Sequence, residues 1–293
     1  MIIVDGHFGF LFGETDMIKD ILVYLDGSKE DDVRLSYAVP IAERHDAMLT
    51  GLLCIEVPDV ISAGDGVFSV GKVAAELQAQ ADEHGDNAEK ELKEKFAKLE
   101  VRNELRRIDT VGSQMGAAIS DEARVADVFV ATRPYGHYSE QPELLEKILF
   151  SSGRACLFVP PAVPAKEPFT DIVVGWRNSR ETARAVADAI PFLQKANKVT
   201  LAMVHEGDST EELRIEPGAD MARHLDRHGV NVELRNITGW DNPGEALLNE
   251  IERTDANMFV IGGYGHSRFR EWVLGGVTRD VLTKAEVPVL IAH

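Results

Sequence analysis

The residues best suited to chemistry in this chain are glycines close together near its C-terminal end. The stretch Ile261-Gly-Gly-Tyr-Gly-His-Ser-Arg-Phe-Arg-Glu-Trp-Val-Leu-Gly-Gly-Val-Thr278 places glycines at 262, 265, 275 and 276. Gly262 and Gly265 let the backbone approach a ligand closely with its N–H groups free. Gly275 and Gly276 precede the apolar, helix-favouring run Val277 to Leu282, which adds further N–H donors and the positive end of a helix dipole. A phosphate is the natural occupant of such a loop. Any single glycine here is equally well explained by a tight turn, and it is the combined spacing that points to an anion.

Other constellations are thinner. His224 and His228 stand four apart on a predicted helix without an evident third metal ligand, so no metal site is expected. His205 ends a predicted strand, where a structural and a pocket-facing role are both open. Cys54 and Cys156, the only cysteines, sit in apolar strand-like runs and read as buried free thiols, in keeping with a reducing cytoplasm. No Walker A loop, G-x-S-x-G elbow or H-E-x-x-H pair occurs, and no general base can be singled out, so no catalytic residue is assigned.

The elements that must position the loop form a repeat. Asp20-Ile-Leu-Val-Tyr-Leu-Asp-Gly-Ser28 aligns with Asp171-Ile-Val-Val-Gly-Trp-Arg-Asn-Ser179. Each is a strand pattern ending in turn formers, followed by a helical stretch, Glu30 to Glu43 and Glu181 to Gln194, with Ser28 and Ser179 expected as N-caps. The order then continues in both halves. Strands are predicted at 48–55, 100–109, 125–131 and 155–159, and at 199–205, 230–238, 257–262 and 287–292. The helices between them include 72–99, 114–123, 212–228 and 243–253. The proline-rich segment Pro160 to Pro168 separates the copies. Alternating strands and helices imply two tandem, doubly wound, five-stranded parallel sheets of α/β, Rossmann-like type. The expected organisation is an extension over 1–16, a first domain over 17–160, a linker over 161–168 and a second domain over 169–293.

Composition narrows the partners. The 293 residues include 31 Lys and Arg against 49 Asp and Glu, a net charge of −18 that repels nucleic acid and anionic lipid surfaces. A small anion remains compatible, because helix N-termini create local positive potential. No apolar run reaches membrane-spanning length, and residues 1–13 lack the basic start of a signal peptide. A cytoplasmic protein with neither a nucleic-acid nor a membrane partner is the expectation.

The pattern Gly262-x2-Gly265-x9-Gly275 resembles the nucleotide signature of the universal stress protein family, G-x2-G-x9-G followed by Ser or Thr. The likeness extends over residues 17–293 as two copies and includes Tyr264-Gly-His-Ser267 and the closing Val287-Pro-Val-Leu-Ile-Ala292. It implies the family's adenine nucleotide alpha hydrolase-like fold, with ATP, with or without magnesium, as the ligand of the second copy and hydrolysis slow or absent. The phosphates would meet amides near Gly262, Gly265, Gly275 and Gly276, flanked by His266, Ser267, Arg268, Val277 and Thr278, with Val204 and Ile261 beside the base.

Two departures stand out. Gly276 occupies the hydroxyl position, for which Ser267, Thr278 or Arg268 would have to substitute. An acidic residue of the family, present as Asp26 in the first copy, is Arg177 in the second, where phosphate pairing and a surface role are both open. Trp176 beside it either stacks on a base or fills the pocket. The first-copy loop, Ala131 to Glu143, keeps only Gly136-His137 and carries Glu143 with Glu146 beyond it, so no ATP is expected there. The resemblance also implies pairing of the two copies through their last strands, with further homodimerisation compatible. The alternatives are an interaction scaffold with decayed sites, or a slow ATPase.

Overall fold

The structure is a computed structural model that describes residues 18–59, 68–136, 142–165, 169–205, 218–263 and 276–293. Its first half runs β1 (Asp20–Leu25), α1 (Glu30–His45), β2 (Met48–Val57), α2 (Phe68–Phe96), β3 (Asn103–Val111), α3 (Gly112–Ala123), β4 (Val128–Thr132), α4 (Pro142–Ser152) and β5 (Ala155–Val159). The second repeats that order with β6 (Asp171–Gly175), α5 (Arg180–Leu193), β7 (Lys198–Val204), α6 (Ala219–Arg227), β8 (Val232–Ile237), α7 (Pro243–Arg253), β9 (Met258–Gly262), α8 (Gly276–Lys284) and β10 (Val289–Ala292). The expected residues 1–16, and part of the expected linker and of the 212–228 helix, lie outside the described residues.

The ten strands among the described residues form one sheet in the order β3-β2-β1-β4-β5-β10-β9-β6-β7-β8. Every pairing is parallel except β5 with β10, which run antiparallel with Cys156 opposite Ile291, Leu157 opposite Leu290 and Phe158 opposite Val289. The two last strands therefore join the halves, and each covers the edge the other would expose.

Strand residues are apolar on both sides because helices cover both faces. Along β1, Ile21, Val23 and Leu25 enter one core with α1, α2, α5 and α6, while Leu22 and Tyr24 enter the other with α3, α4, α7 and α8. Both cores run through both halves, which a per-domain reading of the sequence does not anticipate. At the seam Phe169 packs between Tyr37 and Phe192, at ring distances of 6.4 and 5.8 Å. Lys195 Nζ donates to the Arg44 carbonyl at 2.7 Å, and Arg44 returns a bond to the Lys195 carbonyl.

Local signals hold with small shifts. Ser179 caps α5, its hydroxyl accepting the Thr182 N–H at 3.2 Å. Ser28 does not fill the matching cap position. Lys29 stands there, and the Ser28 hydroxyl instead accepts the Glu30 N–H at 3.2 Å. The fourth strand begins at Val128 rather than at Val125, whose side chain is exposed in the turn after α3.

Candidate functional site

In each half the strand order reverses between the first and fourth strands, at β1 beside β4 and at β6 beside β9. Crossovers leave on opposite faces there, so a crevice opens beyond the carboxyl ends of the strands.

In the second half, β6 ends at Gly175 and leads into Trp176 and Arg177. Trp176 donates its N–H to the Ala202 carbonyl at 2.8 Å and lies half-buried against the core on the α5 side. Arg177 is exposed, and its carbonyl accepts the Ser179 N–H at 2.7 Å. β9 ends at Gly262, where a Cβ would come within 2.4 Å of the Thr182 backbone nitrogen. Gly262 is thus required by the close passage of α5, whatever else it does. Gly263 gives its N–H to the Ala292 carbonyl at 2.8 Å, and its own carbonyl accepts from the His293 ring at 3.2 Å.

The chain re-enters at Gly276, the first residue of α8. Gly276 is exposed, and among the described residues a Cβ there meets nothing within 4 Å. Val277 is half-buried on the α7 and α8 side, and Thr278 is buried. Ile261 is buried in the core on that side and Val204 is half-buried against it, which puts both beneath the crevice floor. Gly265, His266, Ser267, Arg268 and Gly275 lie outside the described residues.

The two helices flanking this crevice differ electrostatically. The first turn of α5 already holds an anion, the buried carboxylate of Glu181. Burial opposes its ionisation, yet its own backbone N–H, the Ser179 hydroxyl and Arg180 keep its pKa below the usual range. The first turn of α8 carries no acidic residue, unlike α1, α4, α5 and α7. α8 is anchored by Asn242, the N-cap of α7, whose Nδ2 donates to Asp280 at 2.8 Å, and by the Lys284–Glu245 pair at 3.1 Å.

The first-half crevice is filled, by residues that the motifs did not single out. Arg34, on α1, is 4% exposed. Its Nε donates to Thr132 Oγ1 at 3.0 Å, Nη1 to the Tyr24 carbonyl at 3.2 Å and to Asp31 at 2.8 Å, and Nη2 to Asp26 at 3.0 Å. The guanidinium also lies 4.9 Å from the centre of the Tyr24 ring. Asp31 further accepts the N–H groups of Asp26 and Gly27, at 3.1 and 2.9 Å. Burial pushes Asp31 up to about 7. Burial pulls Asp26 the same way, but the Arg34 charge and the hydrogen bonds from Arg34 and Ser28 more than offset it and hold Asp26 at about 2. Asp26 also accepts the Ser28 N–H at 3.0 Å in the turn after β1, in addition to its ion pair with Arg34.

The lesser candidates resolve simply. His205 bonds Asn236 Oδ1 through Nε2 at 3.1 Å and so turns towards β8. His224 and His228 pack edge to face at 4.7 Å, and no cluster of three potential metal ligands exists among the described residues. Both cysteines are buried, which raises their thiol pKa values. No described helix is long and apolar enough to cross a membrane.

Fold and crevices define a tandem doubly wound α/β protein. Residues 168–293, the second half of the chain, match the model of the universal stress protein family. Similar curated relatives are universal stress protein Slr1230 of Synechocystis, 33% identical over 66 residues, and Rv1636 of Mycobacterium tuberculosis, 40% identical over 63 residues. Those matches cover 22% of this chain each, and 22% and 42% of the relatives' own length. A universal stress protein of Archaeoglobus fulgidus shares the fold along 93% of this chain and 97% of its own, at a TM-score of 0.63 and 17% identity. A putative one of Pseudomonas aeruginosa does so along 94% of each chain, at 0.61 and 16%.

Proposed function

We propose that the chain is a stress-response protein that binds an adenine nucleotide, ATP foremost, in its second half and does not turn it over efficiently. The observation that carries this reading is where the two ends of the glycine-spaced segment lie. β9 ends at Gly262 at the switch point, and α8 begins at Gly276 with an acid-free first turn. An uncompensated helix start favours phosphate there, whereas the start of α5 already holds Glu181. Phosphates would rest near Gly265, Gly275 and Gly276, with adenosine between the ends of β6 and β9 beside Trp176. The sequence singles out no positioned general base, so any hydrolysis would be slow.

Calorimetry with MgATP tests the reading. Saturable binding at about micromolar concentrations is expected, and it should be lost when Gly265 or Gly275 is replaced by glutamate. Absence of binding below about millimolar would favour the second reading, an interaction scaffold without a nucleotide. Two observations favour that alternative: Arg177 replaces the acid that the repeat keeps as Asp26, and the Gly263 amide is already bonded to Ala292.

A further inference from the structure

The first-half crevice contains a complete recognition set for a planar cation. Two carboxylates, Asp26 and Asp31, a threonine hydroxyl, a backbone carbonyl and an aromatic face all converge on one guanidinium. That guanidinium is the chain's own. It spans the reversal point directly, because Tyr24 is on β1, Thr132 is the last residue of β4, and Asp26 is in the turn after β1. His84 of α2 closes the outside, its Nε2 3.1 Å from the Asp26 carbonyl oxygen.

The second half lacks every side chain of the set, Tyr24 itself matching Gly175. The register that matches Asp20 with Asp171 also matches Asp26 with Arg177, Asp31 with Thr182 and Arg34 with Ala185. The strand pairings Ile21 with Val128 and Ile172 with Met258 likewise match Thr132 with Gly262. The helix position that sends a guanidinium to the switch point in the first half therefore carries only a methyl group in the second, and the carboxylate position has inverted its charge.

We infer that the switch point of the first half is a guanidinium-binding site permanently occupied by Arg34, an internal ligand that closes this half to exogenous ligands. The fork geometry suits the site: Arg34 presents four hydrogen bonds to groups on two strands, on the turn after β1 and on its own helix, which a lysine ammonium at the same place cannot match. Removing the side chain leaves two carboxylates facing an open crevice, and a small planar cation then has a reason to bind. On the reading of the second half given above, the chain holds one nucleotide site and not two; the Arg34 assignment itself does not rest on that reading.

The test is chemical rescue. Thermal unfolding of the full chain and of Arg34→Ala is followed with increasing methylguanidinium chloride at millimolar concentrations, with sodium chloride as the control. The variant is expected to unfold at a lower temperature and to recover saturably with methylguanidinium only, while the wild type does not respond. Should Arg34→Ala not fold, Arg34→Gln, closer in volume, carries the same comparison. No recovery in the variant, or an equal response in wild type and variant, would overturn the inference. Calorimetry with MgATP provides a separate arm: two nucleotides bound per wild-type chain would also overturn it, whereas no nucleotide bound would remove the second-half reading and leave Arg34 standing.

Discussion

At the scale of single residues, two positions carry measurable consequences. Gly276 stands where the family signature has a hydroxyl, and among the described residues nothing lies within 4 Å of a Cβ built there. Gly276→Ser should therefore fold as well as the wild type. One added hydrogen bond, about 0.5–1.5 kcal/mol, would tighten MgATP binding between about two- and tenfold in calorimetry. Weaker or unchanged affinity would count against phosphate at the start of α8. The second position is Asp31. Its folded pKa of about 7 lies above the ordinary carboxylate value, so between those limits the folded state holds a proton that the unfolded chain releases. Stability contributed by this group is full at lower pH and is lost as pH rises towards and through 7. Asp26, held at about 2, acts in the opposite sense, its contribution being lost only in stronger acid. Urea unfolding between about pH 5 and 8 should show the decline, and Asp31→Asn should flatten it. The groups facing Asp31 are Arg34 and Asp26, with Tyr24 beneath and His84 outside, so the slope belongs to the cluster as a unit.

At the scale of elements, Gly262 separates packing from ligand contact. Its missing Cβ makes room for the first turn of α5, so Gly262→Val should destabilise the protein by about 1–3 kcal/mol in denaturant unfolding without any nucleotide present. Full stability in that variant would mean that α5 can retreat. Most elements were legible in the sequence because their signals are local. Helix 243–253 and strand 155–159 match their expected limits, the first marked by Asn242 before Pro243 and the second by an unbroken apolar run. The Arg34 cluster was not legible. An arginine on a helix carrying three acids in its first turn looks like any solvated charge, and only the tertiary placement of Thr132, 98 residues away, reveals it as buried. The glycine spacing could be read because it is contiguous, and its meaning in three dimensions depends on the switch point that the strand order supplies.

At the scale of the whole molecule, the shared cores make the halves mechanically inseparable. All three tryptophans, Trp176, Trp240 and Trp272, belong to the second half, so fluorescence reports on that half alone while far-ultraviolet circular dichroism reports on both. Coincident midpoints are expected from the two probes, since neither core can be dismantled in one half without exposing strand faces in the other. Separate midpoints would show that the seam yields first. The pseudo-two-fold arrangement was foreseeable from the repeat and from the pairing of last strands. The continuity of the α1, α2, α5 and α6 core across the halves was not, because at the seam it runs through Phe169 and its ring neighbours, whose sequence positions carry no sign of meeting.

The antiparallel join of β5 and β10 has a practical corollary. The covalent connection between residues 160 and 165 is one thread beside a ladder, an aromatic stack and two apolar layers that already hold the halves together. A protease that severs that thread would leave a nicked particle that still elutes as a single species from a sizing column.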